Sequence, residues 1–359
     1  MTLTRRDFLN ACGLAALAAA LPGGLLAAYA PRPDGWKTFS LTTRVDLPAD
    51  GKAAQAWVPV PYFTADAWTR PGDTTFTTNG DAELVVDDVQ GVAFVHARWK
   101  AGQTPELQVV STVETQSRHV PLTETGATMG DAERAELTAP TDLIPTDGIV
   151  AETAAMITDG AVNDLDRAQR IYDWVVTETE RNPDTRGCGL GDVASMLHTG
   201  DLTGKCADLN ALYVGLARAS GLPARDLYGL RVAPSSFGYK ALGAGSEVVT
   251  GAQHCRAEVF VEGIGWLPVD PADVRKVVLA GADEGLTLDT PKVVDVRKGL
   301  FGAAEGNWVC LNDAHDVVLP GSTRGALPFL MYPQAEIDGR AQDELDPSSF
   351  TYTITAQTV

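Results

Sequence analysis

The sequence predicts an α+β protein, with a β-rich N-terminal module followed by a domain that sets helices against an antiparallel sheet. Three features lead there. Residues 36–120 hold short apolar runs, loosely alternating with polar residues and separated by Gly, Pro and Asp; this is strand patterning. Residues 149–180 and 206–220 repeat apolar residues at three and four positions, the period of a helix. Residues 254–271 read as strand, Gly-containing turn, strand and Pro, a hairpin that ends where a helix can begin.

The N-terminal strands are expected at 38–42, 54–60, 82–86, 92–99 and 107–113, and together they suggest a β-sandwich-like module over residues 31–120. Pro121, Pro140 and Pro145 mark 121–148 as a linker, with a short helix at Asp131–Leu137. Helices are expected at Ile149–Ile157 and Leu165–Glu180, the second with Asp164 as N-cap and Arg181-Asn182-Pro183 as its stop. A Gly-rich turn at Gly187–Gly191 leads to a short helix. The helix that begins at Cys206 shows Leu209, Leu212, Tyr213 and Leu216 on one side, and Gly221 and Pro223 stop it. Strands follow at Ala224–Val232, Ala257–Val261 and Gly265–Val269, then a short helix at Ala272–Ala280 and a β-like end at Phe350–Thr355. The Gly- and Ser-rich stretch Pro234–Gly251 reads as a mobile loop near a site. Residues 149–280 then form the second domain, and 281–359 an extension that packs on it.

Composition narrows the function. The chain has 359 residues, 45% of them hydrophobic, which places it among globular proteins. Its 28 Lys and Arg against 47 Asp and Glu give a net charge of −19. A surface so acidic repels nucleic acid and anionic membranes, so neither is an expected partner.

The N-terminus reads as an address. Arg5-Arg6 with Phe8 and Leu9 precedes an Ala-rich apolar stretch that ends in the small-x-small site Ala28-Tyr29-Ala30. This resembles a twin-arginine export signal over residues 1–30. It implies the twin-arginine translocase as an export partner and a periplasmic location. Pro22, Gly23 and Gly24 break the apolar run, and no later window is long enough to span a bilayer. No stable membrane insertion of the mature chain is expected.

Beyond that segment lie Cys188, Cys206, Cys255 and Cys310. Their number allows two disulfides, and their spacing matches no zinc pattern, including a site drawn from Cys188, His198, Cys206 and His254. No metal or cofactor is expected. Cys206 opens a helix straight after Gly204-Lys205. Unpaired backbone N–H groups and the positive helix end stabilise a thiolate there. A nucleophilic cysteine needs a base, usually His oriented by a carboxylate. His254 starts one hairpin strand and Asp270 ends the other, so the two are expected as cross-strand neighbours. Cys255, next to His254, is expected on the opposite strand face in a structural role. Asp208 reads as a charge suited to a helix N-terminus, Arg225 as a structural ion-pair partner near the site, and Trp266 as core or a cleft wall.

Gly204-Lys205-Cys206-Ala207-Asp208, Ala217-Arg218-Ala219-Ser220-Gly221-Leu222-Pro223-Ala224-Arg225, the His before a strand, and Gly265-Trp266-Leu267-Pro268-Val269-Asp270-Pro271 resemble the transglutaminase-like superfamily over about residues 149–275. The order Cys, His, Asp is similar to that family's papain-like triad. The resemblance implies a papain-like fold, with the Cys-bearing helix packed on an antiparallel sheet. It also implies roles: Cys206 as nucleophile, His254 as base and acid, and Asp270 as the group that orients His254. The activity implied is acyl transfer or hydrolysis on a peptide or protein amide through a thioester. Where members often carry an aromatic residue two positions after the His, this chain has Arg256. The competing expectation is a catalytically silent binding or scaffolding protein with the same fold.

Overall fold

The computed structural model describes residues 28–359; the export-signal reading falls almost wholly on residues outside that range. Six strands come first: β1 (Lys37–Asp46), β2 (Ala54–Val60), β3 (Thr69–Thr78), β4 (Asp81–Asp87), β5 (Val92–Trp99) and β6 (Leu107–Thr115). The alternating burial of β6 shows why its sequence forms a strand in a sandwich: Leu107, Val109 and Val113 face inward while Gln108, Val110 and Thr112 are half-covered. Strand β3 was not expected, since its Arg70-Pro71-Gly72-Asp73 stretch lacks alternation. It pairs with β6 through a register shift between Pro71 and Thr74, a bulge that accommodates the missing proline donor at a sheet edge.

A two-residue strand β7 (Arg118–His119) leads to the helices α1 (Asp131–Leu137), α2 (Gly148–Thr158) and α3 (Asp164–Glu178). Asn163, rather than Asp164, caps α3 by accepting from the Asp166 N–H. Next come β8 (Glu180–Arg181), α4 (Val193–Thr199), β9 (Thr203–Gly204) and α5 (Cys206–Ala219). The second sheet is built from β10 (Ala224–Arg231), β11 (Gln253–Val261) and β12 (Gly265–Val269), and its hairpin leads straight into α6 (Pro271–Ala280). Helix α5 is buried nearly all round. It lies on β10 and β11, and its Leu212, Leu216 and Ala217 share one core with Ile171, Val175, Ala257, Val259 and Val274. A helix carrying Cys206 thus packs on an antiparallel sheet.

The remaining elements are α7 (Pro291–Gly299), β13 (Ala303–Ala304), β14 (Trp308–Asn312), β15 (Gln334–Ile337), β16 (Arg340–Ala341) and β17 (Thr351–Thr358). They do more than pack on the second domain, as 281–359 was expected to do. Strand β14 extends the second sheet in the order β12-β11-β10-β14, whereas β15–β16 and β17 return to the N-terminal module. There they complete two facing antiparallel sheets, β17-β1-β6-β3 and β16-β15-β2-β5-β4. Their inner residues, among them Leu41, Val58, Val95, Val109 and Ile354, meet in one core, as in a sandwich. Because the chain's end closes the module made by its beginning, the two regions are linked at both ends of the second domain.

Tyr29 already belongs to this fold. It is 3% exposed, and its ring lies 5.1 Å from Phe237 and 5.6 Å from Tyr239. Its backbone N–H donates to the Asp295 carboxylate.

Candidate active site

Cys206 occupies the first turn of α5 and is 2% exposed. Asp208 holds the approach to it. Its Oδ2 accepts from the Lys205 N–H at 2.9 Å, and its Oδ1 from Leu190 N–H and Gly191 N–H at 2.9 and 3.0 Å. The charge suited to a helix N-terminus is therefore also a clamp on the Gly187–Gly191 turn. Gly189 there has φ +94°, and a Cβ on it would lie 1.8 Å from Asp208 Oδ2, so only glycine fits. The clamp sets Cys188 beside Cys206, with the Ala207 N–H donating to the Cys188 carbonyl at 2.8 Å.

His254 sits near the start of β11, and Asp270 leaves β12 to cap α6. The register pairs Ala257 with Val269, so Asp270 is a diagonal, not a direct, partner of His254. The reason is the cap: Asp270 Oδ1 accepts from the Asp273 N–H at 3.0 Å, which turns the carboxylate out of strand geometry. Its other oxygen, Oδ2, is 2.7 Å from His254 Nε2. Asn210, one turn along α5 from Cys206, donates to the Cys255 carbonyl at 2.8 Å and lies 3.4 Å from Asp270 Oδ1. This ties the Cys helix to the His strand and the Asp cap.

Two further residues complete this arrangement, and neither was expected from the sequence. Asp273 Oδ1 is 3.5 Å from His254 Nε2 and forms a buried two-oxygen pair with Arg231 at 2.6 and 2.8 Å. Trp308 donates from Nε1 to the His254 carbonyl at 2.9 Å. It lies over Gly229, where a Cβ would meet its ring at 2.6 Å. Only Asp273, three residues after Asp270 in the same predicted helix start, left a signal in the sequence. Trp308 belongs to a strand the pattern did not mark. Arg256, the departure from the family pattern, is buried with its guanidinium 4.8 Å from the Trp308 ring centre and 4.0 Å from Asp270 Oδ2. The aromatic neighbour is thus supplied by β14.

The thiols differ from expectation too. All four described cysteines are free. The sulfurs of Cys188, Cys206 and Cys255 lie within 4.8 Å of one another. Strand alternation does turn Cys255 away from His254, but the face it reaches is the one α5 covers, so it joins Cys206 rather than remaining apart. Arg225 pairs with Glu258 at 2.8 Å and lies 4.1 Å from the Trp266 ring. That cluster braces the sheet against Phe63 of the N-terminal module, and neither Arg225 nor Trp266 lines the clefts beside Cys188.

Electrostatics follow from these contacts. Hydrogen bonding to Cys188 and Cys255, and then the His254 imidazole, hold the Cys206 thiol well below its ordinary range against the opposing effect of burial. Burial and Arg231 act to lower the His254 pKa, but Asp273 and Asp270 outweigh them and raise it. A depressed thiol beside a raised imidazole is the condition for a thiolate–imidazolium pair. Burial, with the charge of Asp273, raises Asp270. Two donor groups among the described residues have metal-ligand proximity, the three thiols and His254-Asp270-Asp273. The second is already engaged internally, through the His254–Asp270 bond and the Asp273–Arg231 pair.

Two clefts meet at Cys188, Tyr332 and Leu345. One, of about 580 Å³, is mostly apolar and lined by Leu190, Met196, Leu327 and Phe329. The other, of about 490 Å³, runs past Lys205 and Gln253, the residues just before Cys206 and His254. The loop expected to be mobile supplies Gly243, Ala244, Gly245 and Val248 to its wall. That loop is tied down by β17, through the Val249 N–H to the Ile354 carbonyl at 2.8 Å.

This is the architecture of a cysteine-dependent enzyme family, and residues 151–271 match the model of the transglutaminase-like superfamily. The chain is 35% identical over 316 residues to an uncharacterized protein of Haemophilus influenzae, covering 82% of this chain and 84% of that one. The chain belongs to the transglutaminase-like superfamily. In fold it is similar to a Cytophaga hutchinsonii protein, provisionally named a cysteine protease, with a TM-score of 0.57 and 15% identity over 90% of this chain and 91% of the other. A further solved structure is the periplasmic domain of TgpA from Pseudomonas aeruginosa, with a TM-score of 0.34 and 14% identity over 69% and 91% of the two chains.

Proposed function

We propose that the protein is a cysteine-dependent acyl-transfer or hydrolytic enzyme acting on peptide or protein amides. One observation carries this reading: a depressed Cys206 thiol at a helix start, beside a buried His254 that is held 2.7 Å from Asp270. In the proposed cycle the Cys206 thiolate attacks the amide carbonyl carbon. The Cys206 backbone N–H, at the positive end of α5, is the first donor to the resulting oxyanion. Asp270 engages Nε2, so the other ring nitrogen of His254 delivers the proton to the departing amine. The C–N bond breaks and a thioester remains on Cys206. Water, or a second amine, then gives up a proton to His254 and attacks the thioester, which restores the thiolate.

A binding protein without turnover is the second reading, favoured by the 2% exposure of Cys206. The experiment that separates them is a screen with activated esters and peptide amides, read by intact mass. The enzyme reading expects a covalent acyl adduct on Cys206 that is released in time and absent in Cys206→Ala. Turnover that survives in Cys206→Ala sinks it, and no adduct with any probe favours the binding protein.

The Arg5-Arg6 signal pattern supports export by the twin-arginine translocase and a periplasmic site of action. No helix of the described residues is long and apolar enough to cross a membrane.

A further inference from the structure

The protein carries a net charge of −19, yet the cleft that runs past Lys205 and Gln253 has no carboxylate in its lining. Its ionisable cations are Arg181, Lys205, Arg231 and Lys276. Arg231 is matched by Asp273. Arg181, Lys205 and Lys276 form no ion pair among the described residues. Two donors in the lining, Arg181 Nη1 and Gln253 Nε2, are buried without a hydrogen-bond partner. Buried donors are nearly always satisfied, and one left open costs about 1–3 kcal/mol. Burial and the charge of Arg231, with a smaller effect of Arg181, push Lys276 down to about 8 against the opposing charge of Asp273. A fold shaped only for stability would not gather like charges and open donors at one cleft, so the arrangement points to a ligand that completes it.

We propose that this cleft is a subsite for a substrate carboxylate, so that the scissile amide belongs to an acidic peptide. The inference rests on the proposed function and names its substrate class. Lys205 precedes the nucleophile and Gln253 precedes the base, so a carboxylate seated here lies beside the bond that Cys206 attacks. Arg181 supplies a fork of donors suited to a carboxylate, and Lys276 a point charge. The apolar cleft on the far side of Cys188 and Tyr332 takes the rest of the chain.

The test measures binding to the full-length Cys206→Ala protein, which needs no turnover. Calorimetry compares N-acetyl-Ala-Gln-amide, its free-acid form N-acetyl-Ala-Gln, and N-acetyl-Ala-Glu-amide. The proposal expects at least one carboxylate form to bind about tenfold or more tighter than the neutral amide. The form that gains identifies the source as a chain terminus or an acidic side chain. Arg181→Gln and Lys276→Met each remove most of that gain. Lys276→Met also leaves the melting temperature equal or higher, because it removes a charge that burial and Arg231 together disfavour more than Asp273 favours it; a merely structural lysine would lower it. Equal binding of neutral and anionic peptides, no saturable binding of either anion, or a gain untouched by both variants overturns the proposal. Failure of the enzyme reading shows separately, as absence of an acyl adduct in the unmutated protein.

Discussion

Replacing Asp270 with Asn changes charge with little change of shape. Asn caps helices as well as Asp does, so its amide oxygen can keep the bond from the Asp273 N–H, 3.0 Å in the native chain. What disappears is the negative charge 2.7 Å from His254 Nε2. Unit charges about 4 Å apart interact by about 4 kcal/mol at an effective dielectric of about 20, equivalent to about 3 pKa units. Asp273 remains 3.5 Å from the same nitrogen, but it is shared with Arg231. Losing Asp270 therefore lowers the His254 pKa, because one of the two carboxylates that raise it against burial and Arg231 is gone. With the imidazolium less populated, the Cys206 thiolate loses its counter-charge and its pKa climbs toward the free-thiol value of about 8.5. Cys206 alkylation by iodoacetamide, followed by peptide mass against pH, reads this directly. Asp270→Asn moves the inflection upward and slows amide turnover by about 10²–10⁴-fold, while the melting temperature falls by only a few degrees. An unchanged inflection with a folded variant refutes the proposed orienting role of Asp270.

Other consequences test separate parts of the structure. Both oxygens of Asp226 are buried without hydrogen-bond partners, and burial pushes its pKa up to about 7. The folded protein then holds a proton that the unfolded chain releases near pH 4, so stability falls as pH rises from about 4 to about 7, by about 4 kcal/mol in all. Asp226→Asn should raise the melting temperature at pH 8 and change it little at pH 4. Nearby His315, 3.6 Å away, is held neutral down to about 3 by burial and then by Arg218, so around pH 6 that contact joins two uncharged groups. Asp208→Ala frees three backbone N–H groups at the Gly187–Gly191 turn and the Lys205 cap. It should cost at least about 2 kcal/mol of stability in urea unfolding and slow Cys206 alkylation near neutral pH. If the proposed export signal is cleaved, the product should begin at Tyr29 instead of at the Pro31 that the Ala28-Tyr29-Ala30 site implies, because Tyr29 is buried and its N–H meets Asp295. N-terminal peptide mass decides this, and a Pro31 start rejects it.

The parts of the structure that were legible in the sequence are those where local chemistry and tertiary need agree. Helix α5 shows its apolar stripe and its Gly221–Pro223 stop, and the β11–β12 hairpin shows its turn, so the placing of Cys206 at a helix start and of His254 and Asp270 at opposite ends of a hairpin was legible, while the roles assigned to them came from the family resemblance. Strand β3 was hidden because its Pro71-Gly72 bulge breaks alternation. Strands β14 and β15 were hidden because they are short and buried on both faces, leaving no period to read. Their absence from the reading hid Trp308 and the return of the chain's end to the first module. The Cys188–Cys206–Cys255 cluster and the cationic cleft come from residues far apart in sequence, and only the folded backbone brings them together. Face alternation for Cys255 was right as geometry, but which element covers that face was not legible.

The proposed activity stands on Cys206 and His254 forming an activated pair. The most direct test is the alkylation rate of Cys206 against pH in the folded mature protein, with His254→Ala alongside. An activated pair gives fast alkylation well below pH ~8.5, lost in His254→Ala. A slow rate that follows an ordinary thiol titration and is the same in both proteins would contradict it.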